Sequence, residues 1–187
     1  PNPKSYITLL DDINVTKKTS LLVNGKSITE IYFEINESLD NMNDMGPMQA
    51  IDNITAILAV IEEAKKNGIV VNSKQIMIYG QSHGAYLAYL CNRFCPNLFS
   101  IIIVRDPGGG LGREAERIIN TNNNTYLIYS YMVAKLKDRI SDKLYSLPYL
   151  YKNFENSCNI ICYHGQDDNM TSYKDKFDFS NGIKNMI

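Results

Sequence analysis

A chain of 187 residues with 44% hydrophobic composition is long enough to bury one sizeable core and too short to call for two. Nineteen basic residues against twenty acidic ones, a formal net charge of −1, leave no overall electrostatic footprint for nucleic acid or an anionic membrane, so neither is expected as a partner. The longest apolar runs fall far short of the ~20 residues of a spanning helix, and no basic-plus-apolar leader opens the chain, which points to a soluble, cytoplasmic protein of unknown oligomeric state. It begins at Pro1, leaving room for a removed leader or upstream segment.

Residues 1–46 are rich in Asn, Lys and Ser and offer one plausible element, the alternating stretch Ser27 to Ile35, which suits a strand. From Pro47 to Asn67 an apolar stripe at Met48, Ile51, Ile54, Leu58 and Ile61 predicts a helix, with Pro47 in its first turn and Gly68 at its exit. Gln75 to Tyr79 reads as a short buried strand, and Ala85 to Phe94 as a helix closing before Pro96. Ser100 to Asp106, SIIIVRD, is a second buried strand. Residues 107–156 form an excursion or cap-like insertion, with a predicted helix around Arg113 to Asn120 and an Asn run at 122–124. Asn159 to Gly165 returns as a third buried strand, an acidic turn follows, and Tyr173 to Ile187 starts another helix. Strands that alternate with helices and are apolar on both faces predict an α/β fold, its mostly parallel sheet covered by helices on both faces. The whole is expected as a single domain over residues 1–187.

Four cysteines stand as two pairs, Cys91 with Cys95 and Cys158 with Cys162, each separated by three residues. On a helix and a strand respectively, such spacing places each pair on one face, where free cysteine acts as a small buried hydrophobe; zinc knuckles use tighter C-x2-C spacing. Buried thiols and no metal are expected, and no cofactor is called for.

The stretch Gly80-Gln81-Ser82-His83-Gly84 is a G-x-S-x-G sequence placed directly after a predicted strand and directly before a predicted helix. A serine hydroxyl must stand clear of the backbone to attack a carbonyl, and a sharp strand-to-helix turn holds it there, with Gly80 and Gly84 avoiding clashes where strand and helix cross. Ser82 is thus the candidate nucleophile. The backbone N–H of His83, at the helix start, is placed to meet a developing oxyanion.

With this motif, the segment GPMQAIDNITAILAVIEEAKKNGIVVNSKQIMIYGQSHGAYLAYL resembles the helix, strand, elbow and helix of the α/β-hydrolase superfamily, toward its prolyl-oligopeptidase-like and dienelactone-hydrolase-like end. NIICYHGQDD is similar to that superfamily's late strand ending in His-Gly-x-x-Asp. The helix GPMQAIDNITAI and the later YKDKFDF also resemble an uncharacterised bacterial family of hydrolase-like proteins. The resemblance implies a serine hydrolase, an esterase or peptidase, acting on an ester, thioester or peptide-like acyl substrate. It makes Asp168 the triad acid, with Asp167 as fallback and Asp106, at the end of the second strand, ranked third. A carboxylate there orients an imidazole and stabilises its charged form.

The departure is the base. In the superfamily a histidine follows the acid in the chain, whereas the only two histidines here are His83 and His164, both before Asp168. The expectation is a partial α/β-hydrolase fold, incomplete at both ends, with little turnover by the isolated chain. Two other classes compete. A non-catalytic binding or scaffold protein could retain the hydrolase core. Gly110-Leu111-Gly112-Arg113-Glu114-Ala115 also matches a G-x-G-x-x-A dinucleotide turn, although Asp106-Pro107 separates it from the strand and no acid lies between Arg117 and Lys137 to meet a ribose hydroxyl.

Overall fold

The computed structural model describes residues 13–23, 25–35, 46–105, 116–121, 125–130, 142–167 and 173–185. The chain divides into two compact units, one made of 1–43 and 114–141, the other of 44–113 and 142–187.

The first unit contains a four-stranded sheet in the order Ile13–Val23, Lys26–Ile35, Thr125–Ser130 and Glu116–Thr121. Strands β1 (Ile13–Val23) and β2 (Lys26–Ile35) form an antiparallel hairpin with a register shift between Val15 and Lys17. At the hairpin turn Gly25 adopts φ +76°, a left-handed conformation that costs glycine little. Strand β6 (Thr125–Ser130) runs parallel to β2, and β5 (Glu116–Thr121) is antiparallel to β6. Of the helix predicted around Arg113 to Asn120, the described part, from Glu116 onward, is corrected to a strand. The segment carries adjacent β-branched residues, Ile118 and Ile119, which pair with Ile128 and Leu127; cross-strand pairing of that kind outweighs a short helical pattern.

The second unit is the α/β part. Its helices are α1 (Pro47–Lys66), α2 (His83–Phe94), α3 (Leu147–Tyr151) and α4 (Tyr173–Asn181). Its sheet has the order β3-β4-β7, with β3 (Met77–Gln81), β4 (Ile101–Arg105) and β7 (Asn159–Tyr163) all parallel. Register sets Ile78, Ile102 and Ile160 abreast, then Gly80, Val104 and Cys162. Ile102, Val104 and Ile160 are buried in one cluster with Ala85, Tyr89, Leu90 and Cys91 of α2 and with Phe179 of α4. The alternate row holds Met77, Tyr79 and Tyr163, which are exposed.

Three polar side chains within this core, those of Asn92, Tyr151 and Asn156, are bonded to one another and to backbone carbonyls. Asn92, 1% exposed, donates from Nδ2 to Tyr151 Oη at 3.1 Å and to Asn156 Oδ1 at 2.9 Å. Tyr151 Oη donates to the Tyr89 carbonyl at 2.8 Å, and Asn156 Nδ2 donates to the carbonyls of Cys158 and Lys184, both at 2.7 Å. This network ties α2 to the segments flanking β7. All four cysteines are free thiols; Cys91 and Cys158 are buried, Cys95 and Cys162 partly so. Among the described residues no helix is long and apolar enough to cross a membrane.

Candidate functional site

Strand β3 ends at Gln81 and α2 begins at His83, so the chain changes direction at one residue. That residue is Ser82, at φ 54° and ψ −123°. A positive φ is uncommon for a residue with a Cβ, and conformations of this kind persist only where their surroundings enforce them. The enforcement is visible. Ser82 N–H donates to the Arg105 carbonyl at 3.0 Å, extending the ladder of β3 with β4, and the Ser82 carbonyl accepts from the N–H groups of Ala85 at 3.0 Å and Tyr86 at 3.4 Å. The side chain is exposed.

Gly80 is required by space. A Cβ there would meet the Gly84 carbonyl and stand 2.7 Å from the Ala85 nitrogen, so strand and helix cross at backbone contact. Gly84 supplies the backbone on the other side of that crossing, and a Cβ of its own would meet nothing within 4 Å. The spatial constraint thus falls on the first glycine of the motif.

His83 leads away from the serine toward α1, where its Nε2 lies 2.8 Å from Gln49 Oε1; its ring is tilted against Tyr86 with centroids 5.9 Å apart. Gln49 is invisible to sequence reasoning because 34 residues separate it from His83. His164 follows β7, stacked on Tyr173 at 5.8 Å, and Tyr173 stacks in turn on Phe177 at 5.7 Å. Among the described residues, neither imidazole is hydrogen-bonded to the Ser82 hydroxyl.

The parallel register sets Gln81, Arg105 and Tyr163 abreast. Ser82 and the turn holding His164 to Asp167 therefore both leave the carboxyl ends of their strands, the edge at which open α/β sheets bind ligands. Asp167 is exposed in that turn. Asp168, Asp106 and the glycine pattern of residues 110–115 lie outside the described residues. Between β7 and α4 there is a cavity of about 390 Å³ lined by Cys162, His164, Tyr173, Lys176, Phe177 and Ser180 among others, with Lys176 only 3% exposed. Among the described residues no group of three His, Cys, Asp or Glu is arranged to hold a metal ion.

Desolvation governs the buried ionisable groups. It pushes the thiols of Cys91 and Cys158 each up from 9.0 to about 11, and it raises Tyr89 and Tyr151 well above the ordinary phenol range. Such thiols are poor nucleophiles near neutrality. Ser82 therefore stands apart as an exposed hydroxyl on an enforced turn.

These features define an α/β protein whose parallel sheet presents a serine at a strand-to-helix turn. Residues 2–106 match the sequence model of a family described as "Protein of unknown function (DUF2920)", and the chain belongs to that family. Among solved structures it is similar to Est1E from Butyrivibrio proteoclasticus, with a TM-score of 0.44 and 19% identity, covering 74% of this chain and 58% of that one. The chain thus spans less than two thirds of that protein's length. No curated protein matches it.

Proposed function

We propose that the chain carries the nucleophile of an α/β-hydrolase-type serine hydrolase acting on an ester, thioester or peptide-like acyl substrate. One observation carries this reading: Ser82 is exposed and held at positive φ between β3 and α2. In the reaction the Ser82 Oγ attacks the acyl carbon as its proton passes to an imidazole base that these 187 residues do not themselves supply. The His83 N–H, at the start of α2, faces the oxyanion, and the collapsing intermediate releases the leaving group with that proton. Water then attacks the acyl-serine by the reverse sequence. Asp168, or Asp167 beside it, serves as the carboxylate that orients the imidazole. Support comes from the sheet: β3 and β7 are separated by one strand, roughly 10 Å at ordinary strand spacing, which leaves space for an imidazole between serine and acid. In this reading neither His83 nor His164 is the base.

The test is covalent labelling with a fluorophosphonate, in which an Oγ–P bond forms and fluoride leaves, run with and without added imidazole as an external base. Ser82 is expected to be the modified residue by peptide mass spectrometry. Imidazole should speed labelling of the native chain, and Ser82→Ala should not label. Equal labelling of both proteins, or an adduct elsewhere, would remove Ser82 as nucleophile. The engagement of His83 with Gln49 favours a second reading, a binding protein that retains the hydrolase core without turnover. It predicts no labelling under either condition.

A further inference from the structure

The loop joining α1 to β3 holds three aliphatic residues in solvent: Ile69 is 60% exposed, Val70 95% and Val71 37%. Their display is built. Helix α1 closes in a Schellman motif, with Gly68 at φ +71°, Ile69 N–H donating to the Ala64 carbonyl at 2.9 Å and Gly68 N–H to the Lys65 carbonyl at 3.1 Å. Beyond the apolar tip, the N–H groups of Ser73 and Gln75 donate to the carbonyls of Val71 and Asn72, both at 3.0 Å. Asn72 Oδ1 accepts from Lys74 N–H at 3.1 Å, and its Nδ2 donates to Gln75 Oε1 at 2.8 Å. A loop bonded on both flanks cannot fold its side chains inward at little cost.

Charge surrounds the tip asymmetrically. Lys65, Lys66 and Lys74 are all exposed, and residues 64–105 contain no Asp or Glu. Glu62 and Glu63 are exposed one turn back on α1, and the Glu63 carboxylate, bonded by Asn67 Nδ2 at 2.9 Å at the helix end, offsets part of this charge, leaving the three lysines in excess. We propose that this loop docks the protein on an anionic phospholipid surface, inserting Ile69, Val70 and Val71 at the headgroup boundary while the three lysines meet lipid phosphates. Val70, 95% exposed, is a protruding side chain of the kind a fluid headgroup layer closes around without a preformed pocket. The residue types agree. Protein interfaces are depleted in Lys and anchored by Tyr, Trp and Arg, none of which occurs between Lys65 and Lys74. Aliphatic tips with basic flanks match the combined apolar and electrostatic attraction of an anionic lipid surface. The loop precedes β3 and Ser82 follows it, so docking turns the Ser82 edge away from the lipid.

The test is co-sedimentation of the whole chain with phosphatidylcholine vesicles, with and without phosphatidylglycerol. Binding is expected only with phosphatidylglycerol and should weaken as salt is added. The Ile69→Ser/Val70→Ser double variant should partition about tenfold more weakly. Lys65→Gln/Lys66→Gln/Lys74→Gln should remove the phosphatidylglycerol preference, and all altered side chains are exposed, so circular dichroism should stay unchanged. No binding to either vesicle, or binding equal for both, overturns the proposal. So does binding lost instead in Leu21→Ser/Leu22→Ser, at the exposed tip of the β1–β2 hairpin. Concentration-dependent self-association abolished by the loop variant would assign the surface to another copy of the chain.

Discussion

Ser82 is held against its own backbone preference by three hydrogen bonds, to the Arg105 carbonyl and from the Ala85 and Tyr86 N–H groups. Strain of this kind amounts to about 1–3 kcal/mol. Ser82→Gly should therefore raise stability to urea by about 1 kcal/mol, while Ser82→Ala, which keeps the Cβ, should not. Equal stability of the two variants would mean that the turn stores no strain. Gly80→Ala is the opposite case. Its Cβ would collide with backbone rather than with a flexible side chain, so relief requires strand and helix to separate. A loss of about 2 kcal/mol or more is expected, whereas Gly84→Ala should cost much less because its Cβ enters open space. The two glycines look equivalent in the sequence, and only the crossing geometry distinguishes them.

At the level of elements, α1 offers a separable test. Gly68 has φ +71°, and a Cβ added there would meet nothing within 4 Å, so Gly68→Ala should destabilise by about 1 kcal/mol through backbone conformation alone. Thermal unfolding of the native chain and this variant measures it. Helices α1 and α2 and strands β2, β4 and β7 are legible in the sequence because period and punctuation agree locally, as with Pro47 and Gly68 around α1. Strand β1 is not, because Lys17 and Lys18 interrupt its apolar pattern, and its stability comes from ten paired positions with β2. Strand β5 reads falsely as a helix for the same reason, since its partner β6 lies on the far side of an Asn run. Helix α4 stops at Asn181 rather than running to the end of the predicted stretch. Gly182 breaks it, and the Asn185 carbonyl accepts the Ile160 N–H at 3.1 Å, a bond to β7 that no local pattern announces.

For the molecule as a whole, buried thiols place a limit on alkaline stability. The native-state values of Cys91 and Cys158 lie above that of a free thiol because burial disfavours the thiolate. Their contribution is intact below pH 9.0 and is lost as pH rises toward about 11, where only the unfolded chain sheds the protons freely. Denaturant midpoints should fall across that interval, and Cys91→Ala should make the fall shallower. The α/β class is readable from alternation of strands and helices, and the serine turn from its glycines. The partner of His83 is not, because contact between α1 and α2 is a tertiary fact, and net charge hides the acid-free stretch from Ala64 to Arg105 by averaging it with the rest. The division of the chain has a consequence for biosynthesis. Among the described residues β2 takes its parallel partner from β6, and everything from α1 to β5 is made between them. On the ribosome the β1–β2 hairpin therefore waits with one edge unpaired until Ser130 has emerged, and through that interval it is open to chaperones and to the same edge of a neighbouring nascent chain.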